Sequence, residues 1–167
     1  MPIVELSNWL ILVLDIMAWT LIHLGVSLFT LLLPEKTFYS KGRLYKLRSW
    51  EMQGGFWKRK LHVHRWKYII PDGASLFKKG FKKKKLNEVS IEYLKKFEME
   101  TRRAELTHWL CIPPAFLFFL WNPIWAGWIM VLYACLFNFP IIVLQRYNRG
   151  RLRRILILKD TKNVELE

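Results

Sequence analysis

The sequence has little cysteine, and it lacks the short motifs that mark the common catalytic and cofactor sites. Its 2 cysteines, Cys111 and Cys135, both fall in apolar stretches, where thiols are ordinary packing residues. It contains no P-loop, G-x-S-x-G, H-E-x-x-H, paired C-x-x-C or dinucleotide fingerprint. None of its 4 histidines has an aspartate five positions later, so a His-x-x-x-x-Asp motif is also absent. These absences argue against a disulfide framework and predict no metal site.

Acidic residues are also scarce, with 13 Asp+Glu against 27 Lys+Arg and a formal net charge of +14. A soluble nucleic-acid binder could carry this charge, but it would not need 53% hydrophobic residues. A disordered basic tail would lack the 16% of aromatic residues. High charge and high hydrophobicity coexist when they are separated along the chain, as in a small integral membrane protein. The composition therefore predicts a membrane protein with no nucleic-acid partner.

Charge and hydrophobicity are indeed separated along the chain. Residues 10–33 contain only two ionisable groups, Asp15 and His23, and residues 106–144 contain no Lys, Arg, Asp or Glu. Residues 35–103 carry 20 Lys+Arg against 7 Asp+Glu, and the tail after residue 144 carries 7 against 3. All 27 basic residues therefore lie in two segments outside the apolar stretches.

The apolar stretches predict three membrane-spanning helices. A bilayer core of ~30 Å needs about 20 helical residues, so residues 10–33 form one span. The second apolar stretch is too long for one span, and Trp121-Asn122-Pro123 is a turn signal that divides it into 104–121 and 124–144. The predicted fold is an all-α integral membrane protein with an N-terminal span and a C-terminal helical hairpin. Pro113-Pro114 either kinks the second span or shortens it to a re-entrant segment.

The positive-inside rule orients these spans. It places the basic segment at 34–103 and the tail at 145–167 in the cytoplasm, with the N-terminus outside. The 34–103 segment is predicted to be an interfacial, partly helical layer. Turn signals occur at Gln53-Gly54-Gly55 and Pro71-Asp72-Gly73, and an amphipathic helix begins near Asn87 and runs on into the second span.

A basic run at 78–85 has two interpretations. The first is adhesion to anionic lipid headgroups, worth ~1 kcal/mol for each basic residue near the surface. The second is capture of a phosphorylated ligand such as a coenzyme. Both interpretations place the partner of this run at the membrane surface.

The string at 100–109 carries the candidate catalytic residues. On a helix Arg102, Glu105 and His108 are three residues apart and share one face where the basic layer meets the bilayer. A carboxylate one turn from an imidazole can fix its tautomer and raise its basicity, as acid–base catalysis requires. In the alternative interpretation Arg102 and Glu105 form an interfacial ion pair, and His108 only borders the polar zone.

A second polar cluster approaches from the third span. It begins with Asn138 and Pro140 and continues as Gln145-Arg146-Tyr147-Asn148-Arg149. In a regular hairpin His108 and Asn138 lie at similar depth, each one to two turns from the inner end. Polar residues inside a membrane are costly, so this cluster predicts a functional site.

Three strings of the sequence together resemble a known family. They are Trp66-Lys67 with Asp72-Gly73, then Glu-Thr-Arg-Arg-Ala-Glu-Leu-x-His-Trp at 100–109, then Asn138-x-Pro140 with Gln-Arg-Tyr-Asn-Arg-x-Arg at 145–151. They are similar to the glycosyl-4,4'-diaponeurosporenoate acyltransferases, which perform the last step of staphyloxanthin-type carotenoid synthesis in Gram-positive bacteria. The resemblance covers about residues 34–152.

The resemblance implies a bacterial cell-membrane enzyme that moves a fatty acyl group onto a sugar hydroxyl of a lipid-like glycosylated acceptor. The acceptor would be a glycosyl carotenoid or a related glycolipid. The donor would be an acyl thioester such as acyl-CoA, with no other cofactor. In this hypothesis His108 is the general base and Glu105 orients it, while Asn138, Arg102, Arg103 or Arg146 stabilises the oxyanion. The substrate-binding residues would be Arg102, Arg103, Asn138, Gln145, Arg146, Asn148, Arg149, Trp66 and Asp72.

Two other classes of function remain open. One is a metal-dependent intramembrane hydrolase with Glu100, Glu105 and His108 as ligands, although a set with one histidine is poor for zinc. The other is a non-enzymatic lipid-binding subunit that lysines hold on anionic membranes. In that case the lysines at 82–85 would be essential and His108 would not.

Overall fold

The computed structural model describes residues 4, 6–39, 42–70 and 90–164, and in these residues every regular element is a helix. The all-α prediction is therefore confirmed. The elements are α1 (Asn8–Leu32), α2 (Lys36–Tyr39), a 3-10 helix (Ser49–Gly54), α3 (Gly55–Lys60), α4 (Val63–Trp66), α5 (Ile91–Leu110), a second 3-10 helix (Pro113–Leu120) and α6 (Ile124–Val164).

The chain divides into two compact units. The apolar unit comprises residues 1–33 and 106–142, and the basic unit comprises residues 34–105 and 143–167. This division follows the separation of charge and hydrophobicity that the sequence shows. The helices α5 and α6 each contribute residues to both units.

Two helices are long and apolar enough to cross a membrane, namely α1 and the stretch Ile124–Leu158 of α6. Large apolar side chains are exposed along both, for example Trp9 (71%), Leu32 (75%) and Leu136 (66%). Soluble monomers rarely expose apolar surface on this scale, because its hydration is unfavourable. Length, composition and exposure together are those expected of helices that lie in lipid.

The second predicted span is not one continuous helix. The helix α5 ends at Leu110, a turn follows at Cys111 and Ile112, and a 3-10 helix continues from Pro113 to Leu120. Proline has no N–H to donate, and its ring clashes with the carbonyl four residues earlier in an α-helix. The α-helix therefore ends just before Pro113. As predicted, α5 itself runs unbroken through Thr101 into the apolar stretch.

The predicted turn at Trp121-Asn122-Pro123 is present, and α6 begins at Ile124 as expected. The predicted third span, 124–144, lies within this helix, which has 41 residues and ends at Val164. Pro140 lies inside this helix and removes only one backbone hydrogen bond. The Arg, Leu, Gln and Lys residues beyond it favour helix, so the basic tail extends the same helix.

Aromatic packing and a hydroxyl contact assemble the apolar unit. The indole of Trp19 on α1 stacks on Phe118 at a ring-centroid distance of 4.7 Å and meets Tyr133 edge-on at 5.0 Å. The hydroxyls of Thr30 and Thr107 lie 2.7 Å apart. Hydroxyl pairs of this kind join helices where no water is available to hydrogen-bond them.

The apolar unit also accommodates Asp15, which lies in the N-terminal third of α1 and is 7% exposed. One of its carboxylate oxygens accepts hydrogen bonds from Trp121 Nε1 and Asn122 Nδ2, both at 2.8 Å. A carboxylate in a span must find partners within the protein. The turn at residues 121–123, between the second 3-10 helix and α6, provides these partners.

In the basic unit α6 packs closely on the turn at residues 52–54. Met52 and Gln53 have φ of 49° and 51°, and Gly54 has φ of 87°, so the chain reverses through the left-handed region. Gly150 faces this turn, and a Cβ at that position would lie 2.4 Å from the carbonyl carbon of Gln53 and 2.5 Å from the Gly54 nitrogen. Only glycine at 150 permits this backbone contact.

An apolar cluster beside this contact joins α3 and α4 to α6. Its buried members are Trp57, Val63, Val143, Leu144 and Tyr147, and the partly buried Phe56, Trp66 and Ile70 pack against it. A second cluster of Leu94, Phe97 and Leu152 joins α5 to the same helix. These two clusters hold the charged residues of α5 and α6 in the interior of the basic unit.

We expect Gly150→Ala to destabilise the protein by about 1–3 kcal/mol, because neither backbone can move aside without breaking the turn. The unfolding midpoint of the detergent-solubilised protein, followed by tryptophan fluorescence, measures this. Gly25→Ala is the matched control, since a Cβ there meets nothing within 4 Å. Equal midpoints for the two variants would show that the contact at Gly150 is not tight.

Candidate functional site

The structure distributes the predicted site residues between the two units. His108 and Asn138 belong to the apolar unit. The basic unit contains Trp66, Arg102, Arg103, Glu105, Gln145, Arg146, Asn148 and Arg149. Asp72 and the basic run at 78–85 lie outside the described residues.

His108 and Asn138 form a hydrogen-bonded pair in the apolar unit. The Nδ1 atom of His108, on the last turn of α5, lies 2.8 Å from Oδ1 of Asn138 on α6. Asn138 is 0% exposed, and its Nδ2 donates to the carbonyl of Ala134 at 2.8 Å. That second bond fixes which end of the amide faces the imidazole.

This geometry determines the tautomer of His108. The amide oxygen of Asn138 can only accept, so the imidazole must carry a proton on Nδ1 to donate to it. In the neutral ring the lone pair then lies on Nε2. An imidazole held in this way by an asparagine can act as a base through Nε2.

Glu105 is fully buried in the basic unit and binds two arginines of α6. Its Oε1 accepts from Arg146 Nη1 at 2.7 Å, and its Oε2 accepts from Arg149 Nη2 at 2.5 Å. The hypothesis above gives Glu105 the role of orienting His108. The structure shows Glu105 as the carboxylate on which two guanidinium groups converge.

Arg146 also binds Glu51, which the sequence analysis does not single out. Two nitrogens of Arg146 reach the two carboxylate oxygens of Glu51, and Arg146 also donates to the carbonyls of Leu44 and Lys46. The Trp57 indole donates to Glu51 at 2.9 Å. Glu51 is 0% exposed, so its carboxylate is shielded from water. In the sequence Glu51 is one carboxylate within a basic segment, and no motif spacing marks it as a functional residue.

Burial alone would raise the pKa of Glu51, but its hydrogen bonds with Arg146, the Arg48 backbone N–H and Trp57 hold the pKa below the ordinary 4.5. The Glu51 carboxylate therefore stays ionised at neutral pH. Burial and the nearby charge of Glu105 raise the pKa of Tyr45, so this phenol stays protonated. Arg102 and Arg149 oppose that increase.

Arg102 and Arg103 of α5 also form ion pairs within the basic unit. Arg102 binds Glu98 at 2.8 Å and donates to the carbonyl of Phe38 at 2.6 Å. Arg103 binds Glu100 at 2.9 Å, and its guanidinium lies over the Phe38 ring. The Arg102 and Arg103 side chains are thus tied to α5 and α2.

Arg149 and Gln145 each have polar side-chain atoms that are buried and without a hydrogen-bond partner among the described residues. In Arg149, which is 0% exposed, these are Nε and Nη1. In Gln145, which is 6% exposed, it is Oε1. Buried polar atoms are nearly always hydrogen-bonded, so these three atoms require an explanation.

The remaining predicted residues have simpler surroundings. The Trp66 indole donates to the carbonyl of Leu61 at 2.7 Å, and its ring packs on the cluster around Trp57. Asn148 is partly buried on α6. Within the described ranges no three His, Cys, Asp or Glu side chains are grouped to hold a metal ion. Glu100 and Glu105 are each ion-paired with arginine.

Comparison with known proteins agrees with the resemblance noted above. The family model described as glycosyl-4,4'-diaponeurosporenoate acyltransferase matches residues 41–157. The protein of that name from Staphylococcus aureus strain MRSA252 is 36% identical over 144 residues, which cover 86% of this chain and 87% of the relative. Those from strains bovine RF122 / ET3-1 and USA300 are 35% identical over the same shares. No solved structure matches the chain.

The Glu51–Arg146 contact predicts a pH dependence of stability. The pKa of Glu51 is lower in the folded protein than its ordinary value of 4.5. Its ion pair therefore contributes fully to the free energy of unfolding above pH 4.5, and this contribution is lost as the pH falls through the pKa of Glu51 in the folded protein. At neutral pH Glu51→Gln should cost about 3 kcal/mol, because Arg146 loses a buried charged partner.

Unfolding midpoints of wild type and Glu51→Gln between pH 3 and pH 7 measure this effect. The difference between the two proteins should shrink as the pH falls below 4.5. Glu35→Gln is the control, because Glu35 is exposed. A difference between wild type and Glu51→Gln that does not change with pH would contradict the ion pair.

Proposed function

This chain belongs to the glycosyl-4,4'-diaponeurosporenoate acyltransferase family, and we propose that it transfers a fatty acyl group to a sugar hydroxyl of a lipid-like glycosylated acceptor. The acceptor that the relatives' name indicates is a glycosylated carotenoid. The apolar surfaces of α1 and α6 suit an acceptor whose long tail lies in the bilayer. The acyl donor is a thioester such as acyl-CoA.

The pair of His108 and Asn138 is the observation that supports this reaction most directly. Nε2 of His108 takes the proton of the sugar hydroxyl while the hydroxyl oxygen attacks the thioester carbonyl. The tetrahedral intermediate then expels the thiolate, which accepts this proton from the imidazolium and leaves as the thiol. Asn138 keeps Nδ1 protonated and the ring in one orientation throughout.

The ion network of Glu105 has a positioning role in this proposal. By binding Arg146 and Arg149 it fixes the side chains of α5 and α6 within the basic unit. A metal-dependent hydrolase is less well supported, because Glu100 and Glu105 already have arginine partners. A purely lipid-binding subunit would not need a partly buried histidine that is hydrogen-bonded to a buried asparagine.

The proposal includes a topology. It has three spans, with the N-terminus outside the cell and both residues 35–103 and the tail inside. The two apolar helices and the position of all 27 Lys+Arg in those two segments support it. The basic segments then face anionic lipid headgroups at the cytoplasmic surface.

We expect His108→Ala to reduce acyl transfer about 10²–10⁴-fold, because the general base is lost. Asn138→Leu should also reduce kcat, since the amide that holds the tautomer is gone. Asn138→Asp should retain much of the wild-type kcat, because a carboxylate still accepts a hydrogen bond from Nδ1. The assay is transfer of a labelled acyl group from acyl-CoA to a glycosylated carotenoid by purified protein.

The control for this series is His62→Asn, which changes an exposed histidine in the basic unit. His62 has φ of 48°, a conformation that asparagine tolerates, so this variant should fold and remain active. Equal transfer by His108→Ala and His62→Asn, with both proteins folded, would remove the catalytic role of His108.

The topology predicts that a cysteine at position 160 is labelled only from the cytoplasm. The protein for this experiment carries Cys111→Ser and Cys135→Ser, so the introduced thiol is the only one. A membrane-impermeant maleimide should label it in inverted vesicles and not in intact cells. Labelling in intact cells would exclude the proposed topology.

A further inference from the structure

The face of α6 that carries Gln145 and Arg149 has an unusual combination of unmet hydrogen-bonding needs. The two residues are four apart, so their side chains leave the helix on the same side. Arg149 has two buried donors without a partner, Nε and Nη1, and Gln145 has one buried acceptor without a partner, Oε1. A buried polar atom that has no hydrogen-bond partner destabilises the folded protein.

The charge of Arg149 is already balanced. Glu51 and Glu105 contribute two negative charges, and Arg146 and Arg149 contribute two positive charges to one set of ion pairs. The unmet need is therefore for hydrogen-bond partners and not for another charge. An anionic ligand bound beside these ion pairs would be buried without a cation to balance its charge.

The atoms that need partners are two donors of Arg149 and one acceptor of Gln145, and this combination limits the chemical class of ligand that can satisfy all of them. A fully ionised phosphate or a carboxylate can accept from Arg149, but it has no proton to donate to Gln145. A hydroxyl group does both at once. Neighbouring hydroxyls on one ring could accept from Nε and Nη1 and donate to Oε1 of Gln145.

We infer that Gln145 and Arg149 bind the sugar ring of the acceptor through its hydroxyl groups. This inference rests on the proposed function, since it identifies the residues that recognise the glycosylated substrate. Glu105 is the positioning residue of this sugar site, because its contact with Nη2 holds the guanidinium of Arg149 in place. The remaining Arg149 donors are thereby left for the ligand.

The test measures binding of an alkyl β-glucoside to the full-length protein in a polyoxyethylene-ether detergent, which has neither sugar nor charge. Isothermal titration compares this probe with an alkyl glycol ether of the same chain length and with inorganic phosphate. Wild type should bind the glucoside at least about tenfold more tightly than the ether, which is the loss of one or two hydrogen bonds. Phosphate should not compete.

Two substitutions probe the site. Gln145→Met removes the acceptor without touching an ion pair, and Arg149→Lys keeps a charge beside Glu105 but removes Nε and Nη1. Both should reduce glucoside binding about tenfold. Arg154→Gln, an exposed arginine further along α6, should bind like wild type and serves as the matched control.

Three results would overturn the inference. They are equal binding of glucoside and ether by wild type, competition by phosphate, and unchanged glucoside binding by Gln145→Met. The first would mean that ordered water alone fills the positions beside Arg149. The second would make this an anion site.

The same variants separate this inference from the proposed function. If acyl transfer depends on His108 but Gln145→Met leaves the KM for the glycosylated acceptor unchanged, the sugar site is wrong and the function stands. If the glucoside binds as described but no acyl transfer occurs, the function is wrong and the sugar site stands.

Discussion

The basic unit depends on one buried carboxylate that is shared by two arginines. Glu105 of α5 binds Arg146 and Arg149, which are three residues apart on α6, and Arg146 in turn binds Glu51 beside the left-handed turn. Three elements distant in sequence therefore meet at a set of charges of which Glu51, Glu105 and Arg149 are fully buried and Arg146 partly buried. An apolar core of the same volume could be equally stable, because desolvating four charged groups is costly. What the charges add is a definite alignment of the helices.

That alignment follows from how many groups Arg146 contacts at once. Its guanidinium binds two carboxylates and two backbone carbonyls. Each residue along a helix is rotated by about 100° from the last, so a shift of α6 by one position would remove all four contacts. The close contact at Gly150, one residue beyond Arg149, enforces the same register through backbone packing. Ion pairing and close packing thus select one arrangement of α6.

The sequence predicts those features that depend on local composition. The apolar stretches, the turn before α6 and the unbroken course of α5 all follow from hydropathy, proline and periodicity. The full length of α6 does not follow from hydropathy, because hydropathy indicates where the apolar stretch ends and not where the helix ends. Glu51 is not predictable because only the folded turn brings it to Arg146. The pairing of Asn138 with His108 agrees with their expected depth, but the amide orientation that fixes the tautomer depends on the Ala134 carbonyl.

Asp15 has a consequence for how the protein is synthesised. Its partners Trp121 and Asn122 lie 106 and 107 residues further along the chain, so α1 leaves the ribosome long before they exist. An aspartate in a helix entering the bilayer is unfavourable until it has partners, and the surrounding Leu and Ile residues of α1 must offset that cost. We therefore expect early α1 to remain beside the insertion machinery until the turn at residues 121–123 emerges. Biogenesis would then be completed from the C-terminal half of the chain.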